Sequence, residues 1–208
     1  MFLNGFLHKN SLGSKVMDEA FVHFGMFLIE AKNAWIVGGD GGVLNEVLKH
    51  DVEVVMNDYL DVRNIMNLSY DNSKVQIVEE DPIQTKSEQQ FDAVILDIPL
   101  LSLNHDIETM HRFINQTYDE NTNGVLIMKM GLLKKDEILV NDYSIPTLQD
   151  FKFDHCYLES HVQFTSPMVF CVRCKDCHWK SSVRKRMLLL DFEYFDEVVF
   201  DSYRNQKF

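Results

Sequence analysis

Trp35-Ile-Val-Gly-Gly-Asp-Gly-Gly-Val-Leu-Asn-Glu-Val-Leu-Lys-His50 is the stretch from which the rest of the chain can be read. A short apolar run breaks into four glycines around one aspartate and then into an amphipathic helical pattern. Glycines at such a junction let the backbone turn tightly and let a ligand approach main-chain N–H groups at a helix start. The pattern is the strand–loop–helix opening of a nucleotide- or nucleoside-binding α/β domain. Asp40 sits in the middle of the loop. A carboxylate there repels a pyrophosphate, so the ligand expected beside Gly38, Gly39, Gly41 and Gly42 is neutral or cationic. That points away from a dinucleotide and toward an adenosyl-sulfonium compound.

Working outward, apolar residues at helical spacing (Val16, Ala20, Phe21, Phe24, Leu28) predict a helix over 15–28. Residues 1–13 suggest a short hairpin or extended arm. Strands are expected at 33–38, 53–57, 74–78, 91–96 and 124–130, and helices at 42–50, 60–68 and 105–117; residues 84–90 read as a short helix or loop. Continuous apolar strands alternating with helices predict a parallel sheet covered on both faces, with ligands beyond the strands' carboxyl ends. After residue 150 the pattern changes to two strands, 153–161 and 168–173, read as an antiparallel edge pair. The organisation is a single domain, with residues 1–30 as arm and helix and 31–208 as the nucleoside-binding unit.

With 208 residues, 46% of them hydrophobic, the chain can bury one substantial core. Its formal net charge of −12 disfavours nucleic acid and anionic membranes and draws cationic ligands. No stretch reaches the roughly 18 apolar residues of a membrane span. The opening segment lacks a basic leader, and the four cysteines (156, 171, 174 and 177) do not look like a secreted disulfide framework. A cytoplasmic protein with buried or edge thiols is the expectation. Cys171, Cys174, Cys177 and His178 have metal-like spacing without the usual paired loops, so no metal is expected. Lys180, Arg184, Lys185 and Arg186 read as a solvated basic run before the last helix.

Four carboxylates fall where strands end. Asp40 lies in the glycine loop and Asp58 closes the second strand, where a carboxylate can accept from both ribose hydroxyls. Asp81 follows the third strand, and Asp97 ends the fourth, toward a reacting centre. Any one of them is readily explained as a turn or helix cap. Four on consecutive strands beside the glycine loop suggest a site.

The segment Gly38-Gly-Asp-Gly-Gly-Val-Leu-Asn-Glu-Val-Leu-Lys-His50 resembles the glycine-loop signature of the spermidine synthase family, the aminopropyltransferases. Leu3-Asn-Gly-Phe-Leu-His8 is similar to that family's Leu-Asp-Gly-x-x-Gln turn, and Glu19-Ala-Phe-Val-His23 to its Glu-x-x-x-His helix. Phe91-Asp-Ala-Val-Ile-Leu-Asp97 is similar to the strand ending in its catalytic aspartate. The resemblance implies a Rossmann-like sheet of the S-adenosylmethionine-methyltransferase type, with decarboxylated S-adenosylmethionine as co-substrate and no permanently bound cofactor. It implies that Asp58 holds the ribose, Asp81 the adenine and Asp40 the aminopropyl ammonium. Asp97 is implied as general base, and His8, Glu19, Asp40 and Asp97 as the residues that receive a small cationic amine such as putrescine. A homodimer is implied as well.

Departures from the family pattern accompany these matches. Asp97-Ile-Pro-Leu-Leu lacks the second aspartate that normally follows, Met17-Asp18 stands where a tyrosine is usual, and His8 replaces glutamine. Most of the family's N-terminal β-domain is expected to be absent. These differences keep two alternatives open: a non-catalytic relative serving as a binding or assembly protein, and a methyltransferase using intact S-adenosylmethionine.

Overall fold

A computed structural model of the chain describes residues 2–3, 6–7, 14–38, 41–57, 72–84, 88–97, 105–134, 137–140, 143–145, 152–160, 166–178, 187 and 189–206. The first strands, β1 (Phe2–Leu3) and β2 (Phe6–Leu7), pair antiparallel as a small hairpin. Helix α1 (Ser14–Phe27) precedes β3 (Asn33–Val37), α2 (Gly41–Leu48), β4 (Glu53–Asn57), β5 (Val75–Val78) and β6 (Phe91–Asp97). Helix α3 (Ile107–Gln116) runs through one π turn (Thr117–Asn121) into the long strand β7 (Thr122–Lys134). The hairpin β8 (Glu137–Val140) and β9 (Tyr143–Ile145) follows, then β10 (His155–Glu159), β11 (Met168–Cys174) and α4 (Glu197–Asn205).

The main sheet has the order β10-β11-β7-β6-β3-β4-β5, with β8 and β9 attached beyond β7. Strands β5, β4, β3, β6 and β7 are parallel, and β11 runs antiparallel between β7 and β10. This is the mostly parallel, Rossmann-like sheet with an antiparallel end that the apolar runs predict. Successive crossovers leave β3 in opposite directions, so the strand order reverses beside β3, where such sheets open a crevice. The expected helix over 60–68 lies outside the described residues. The hairpin β8–β9 is not among the expected elements, although Asn141-Asp142 between its strands is a turn signal; the strands themselves are short and lack a clean alternation.

Side chains alternate between two cores. Ala34, Ile36, Ala93, Ile95, Val125 and Ile127 face α1, α2 and α4, whereas Val37, Val94, Leu96, Leu126 and Met128 face α3. Every residue of α1 from Asp18 to Phe27 is buried, so the helix is held between the sheet and the C-terminal segment. It approaches closely: a Cβ on Gly25 would fall 2.4 Å from Ile127 Cγ1. Phe24 packs on Tyr157 and Phe200, and Tyr157 stacks on Tyr203, with ring centroids 4.7, 5.1 and 4.6 Å apart. Burying each such ring contributes about 1.5–3 kcal/mol.

At the amino ends of the strands Asp92 Oδ2 accepts from the Lys32 and Asn33 N–H groups (2.7 and 3.4 Å), while Asn33 Oδ1 accepts from the Asp92 N–H (2.9 Å). This exchange fixes β6 against β3 and leaves the carboxyl ends to the site. The edge strand β10 is blunted by Gln206, whose side chain accepts from the Leu158 N–H and donates to the Leu158 carbonyl (2.6 and 3.1 Å).

The cysteines correct an expectation. Cys156 and Cys171 are bonded across the β10–β11 register, Cys174 is bonded to Cys177, and none of the four is a free thiol. Sequence spacing does not reveal which residues face one another across a strand pair, and that register is what brings the first two together. Among the described residues no cluster of three or more His, Cys, Asp or Glu could hold a metal ion. No helix among them is long and apolar enough to cross a membrane.

Candidate active site

The candidate site is assembled from the ends of four parallel strands. Strand β3 passes from Val37 into Gly38, whose φ of 75° is left-handed and favours glycine, and α2 starts at the buried Gly41. Gly42 follows within the same helix, so its first turn lies at the carboxyl end of β3, beside the reversal in strand order. Gly39 and Asp40 lie outside the described residues. So do Asp58, the residue after the end of β4, and His8.

Asp81 is half-buried beyond β5 and organises a turn. Its Oδ1 accepts from the Ile83 N–H (3.0 Å), its Oδ2 from Gln84 Nε2 (3.2 Å), and its carbonyl from the Gln84 N–H (3.1 Å). His105 Nε2 approaches the same Oδ2 at 2.9 Å. The turn role that competes with ligand binding is therefore realised, but an ionised carboxylate has about four acceptor positions and retains capacity for another donor. His105 was not singled out in the sequence. It stands one residue before Asp106, whose side chain caps α3 by accepting from the Thr109 N–H (2.7 Å).

Asp97 is the last residue of β6 and only 2% exposed. Its Oδ2 accepts from Lys129 Nζ at 2.9 Å, and the lysine side chain is 12% exposed. The two are register partners on the parallel strands β6 and β7, so both side chains project from the same face. The alternation along β6 and β7 puts them on the face that packs α1 and α2. A buried carboxylate is costly without a partner, and Lys129 supplies one. Lys129 was missed in the sequence, although a signal exists: it is the lone charge in an otherwise apolar run from Val125 to Met130.

Glu19 has a structural role that the sequence does not disclose. Fully buried in α1, its carboxylate accepts from the backbone N–H groups of Glu193, Tyr194 and Phe195 at 2.9, 2.9 and 2.7 Å. Lys49 Nζ lies 3.7 Å away. The carboxylate expected to receive the amine thus also anchors the segment before α4.

His23, one turn further along α1, is also fully buried. Its Nε2 lies 2.8 Å from Glu46 Oε2 and its Nδ1 2.8 Å from His50 Nε2. Burial holds the His23 imidazole below its usual range, against the opposing pull of Glu46. A neutral ring donating from Nε2 to Glu46 and accepting at Nδ1 from His50 fits those contacts. For Glu46, burial pushes the carboxyl up, but hydrogen bonds from His23 and Lys49 outweigh it, and the net direction is downward. The conspicuous Glu46…His50 end of the glycine-loop segment therefore joins α2 to α1.

A family model described as the spermine/spermidine synthase domain matches residues 14–152. Among solved structures, a spermidine synthase in complex with the transition-state analogue AdoDATO superposes with a TM-score of 0.65 at 20% identity, covering 92% of this chain and 71% of that one. Spermidine synthase from Thermotoga maritima gives 0.62 at 19% identity, with the same coverage of 92% and 71%. The N-methyltransferase NodS from Bradyrhizobium japonicum gives 0.58 at 11% identity, covering 76% of this chain and 94% of that one. No curated protein sequence matches the chain.

Proposed function

The chain belongs to the spermine/spermidine synthase family, and we propose that it transfers the aminopropyl group of decarboxylated S-adenosylmethionine to a small amine, with Asp97 as general base. The observation that carries this reading is the placement of a buried carboxylate, Asp97, at the end of the strand next to the β3–Gly38 turn. In the reaction the amine nitrogen attacks the aminopropyl carbon bonded to sulfur. The N–C bond forms as the C–S bond breaks, and the electron pair leaves with sulfur as neutral methylthioadenosine.

An amine is protonated at neutral pH and must lose a proton to become a nucleophile. In this reading Asp97 first draws the ammonium and then accepts that proton, a contribution of about 10²–10⁴-fold. Holding both reactants in line supplies much of the remainder. Asp40 pairs with the ammonium of the aminopropyl group, Asp58 accepts from the ribose hydroxyls and Asp81 from the adenine amino group. Gly38, Gly39, Gly41 and Gly42 let the nucleoside approach the backbone. Among the amine-side residues, His8 and Asp40 remain part of the proposal, and Glu19 acts through the segment it anchors.

A homodimer and a cytoplasmic setting belong to the same proposal. The two disulfides pull against that setting, because such bonds persist mainly in oxidising compartments. Alkylating the protein at the moment of cell lysis and weighing it decides: four alkylated cysteines are expected in the cytoplasm, and none alkylated would contradict that setting. The activity is tested by incubating purified protein with an amine panel and either the decarboxylated donor or, in parallel, intact S-adenosylmethionine, and following the released nucleoside by mass spectrometry. Release of methylthioadenosine together with an aminopropylated amine is expected. Release of S-adenosylhomocysteine from intact S-adenosylmethionine instead would replace this reading with methyl transfer.

A further inference from the structure

We propose that Lys129 sets the acceptor class, so that the amine received at Asp97 carries its own carboxylate: an α-amino acid rather than a plain diamine. The inference rests on the aminopropyl-transfer reading and deepens it. Its first support is geometric. Asp97 and Lys129 are adjacent register partners, 2% and 12% exposed, with Oδ2 and Nζ 2.9 Å apart. The reacting end of the sheet therefore presents a neighbouring negative and positive charge, together neutral.

A diamine brings two positive charges to that pair. One can replace Lys129 at Asp97, but the displaced ammonium then remains beside it in a poorly solvated place, where like charges repel far more than in water. An α-amino acid brings an ammonium and a carboxylate on one carbon, matched in sign and adjacency to Asp97 and Lys129. One ion pair is then exchanged for two, with no net charge added to the site.

The second support is in the sequence. Asp97 is followed by Ile98-Pro-Leu-Leu101, so the second carboxylate of the family pattern is missing. Relative to that pattern the reaction centre has one negative charge fewer. With Lys129 it also holds a positive charge against Asp97, and both differences act against a dicationic acceptor.

In the aminopropyl step the α-amine of the amino acid forms the new N–C bond, and its proton goes to Asp97. Lys129 holds the carboxylate and takes no part in the proton transfer. Lys129 is thus a specificity residue and not the base.

Ornithine and putrescine differ only in the α-carboxylate, which makes them the matched probes. With the decarboxylated donor, the wild-type protein is expected to favour ornithine over putrescine in kcat/KM on the order of tenfold or more. Lys129→Gln is expected to abolish or reverse that ratio mainly through KM, and Lys129→Arg to restore it. Putrescine favoured by the wild-type protein, or a ratio unchanged in Lys129→Gln, overturns the inference while leaving aminopropyl transfer intact. No aminopropylated product from any amine overturns both. Methyl transfer from intact S-adenosylmethionine that is lost in Lys129→Gln also overturns it, by assigning the lysine to the donor's carboxylate.

Discussion

Glu19 and Asp97 are both withdrawn from water, at 0% and 2% exposure, yet they are satisfied in different ways. Glu19 is held by three backbone N–H groups from residues 193–195, which cannot leave it without unfolding the segment before α4. Among the described residues Asp97 is held by a lysine side chain, whose ammonium can yield its place at the carboxylate to another. The difference separates architecture from chemistry: a carboxylate locked by main chain builds the fold, and one balanced by an exchangeable ammonium can bind and react. Near Glu19 a second carboxylate is structural through side chains instead: Glu159 accepts from the hydroxyls of Tyr203 and Tyr194 and ties β10 to α4 and the segment before it. Burial first, and then Glu159, hold the Tyr203 hydroxyl far above its usual range, so it stays a donor.

Exchanging the reacting carboxylate separates the two roles most clearly. Asp97→Asn is expected to lower kcat about 10²–10⁴-fold while methylthioadenosine still binds by calorimetry; loss of binding would make Asp97 a structural residue like Glu19. Glu19→Ala is expected to cost about 3–5 kcal/mol in urea unfolding, because three N–H groups, that of Phe195 buried, lose a charged acceptor. A cost under about 1 kcal/mol would remove the distinction. The Cys156–Cys171 bond closes a span of 15 residues in the same C-terminal third. Its removal as Cys156→Ala/Cys171→Ala is expected to destabilise by about 3 kcal/mol in the chain-entropy account. A variant as stable as the oxidised protein would show that the α4 contacts alone hold this edge.

The smallest expected effect is on the pH dependence of stability. His23 and Glu46 both have their affinity for protons lowered by folding, so the unfolded chain binds protons more readily than the native one. The stability they confer is complete above the unfolded histidine value of about 6.5 and declines as pH falls, first through His23 and then, in the carboxylate range, through Glu46. The Tm is expected to drop between about pH 7 and pH 5, and His23→Phe is expected to flatten that part of the profile. An identical slope in the variant would locate the titration elsewhere.

The parallel half of the fold was legible because its signals are local. An apolar run ending in Gly38, an amphipathic segment after it and carboxylates after successive strands each lie within a few residues. What stayed hidden depends on register or distant partners. Lys129 meets Asp97 across 32 residues, and Glu19 meets its partners across 174–176. Asp81 carried two readings at once, because a turn-capping aspartate and an adenine-binding one occupy the same place after a strand.

The account turns on whether the nucleoside leaves as a thioether while an amine gains its carbon chain. Wild-type protein, decarboxylated S-adenosylmethionine and an equimolar mixture of amines, resolved by mass spectrometry over a single time course, measure this directly. Methylthioadenosine and aminopropylated amine are expected to rise in equal amounts. Donor that remains intact, or nucleoside released with no amine modified, would contradict it.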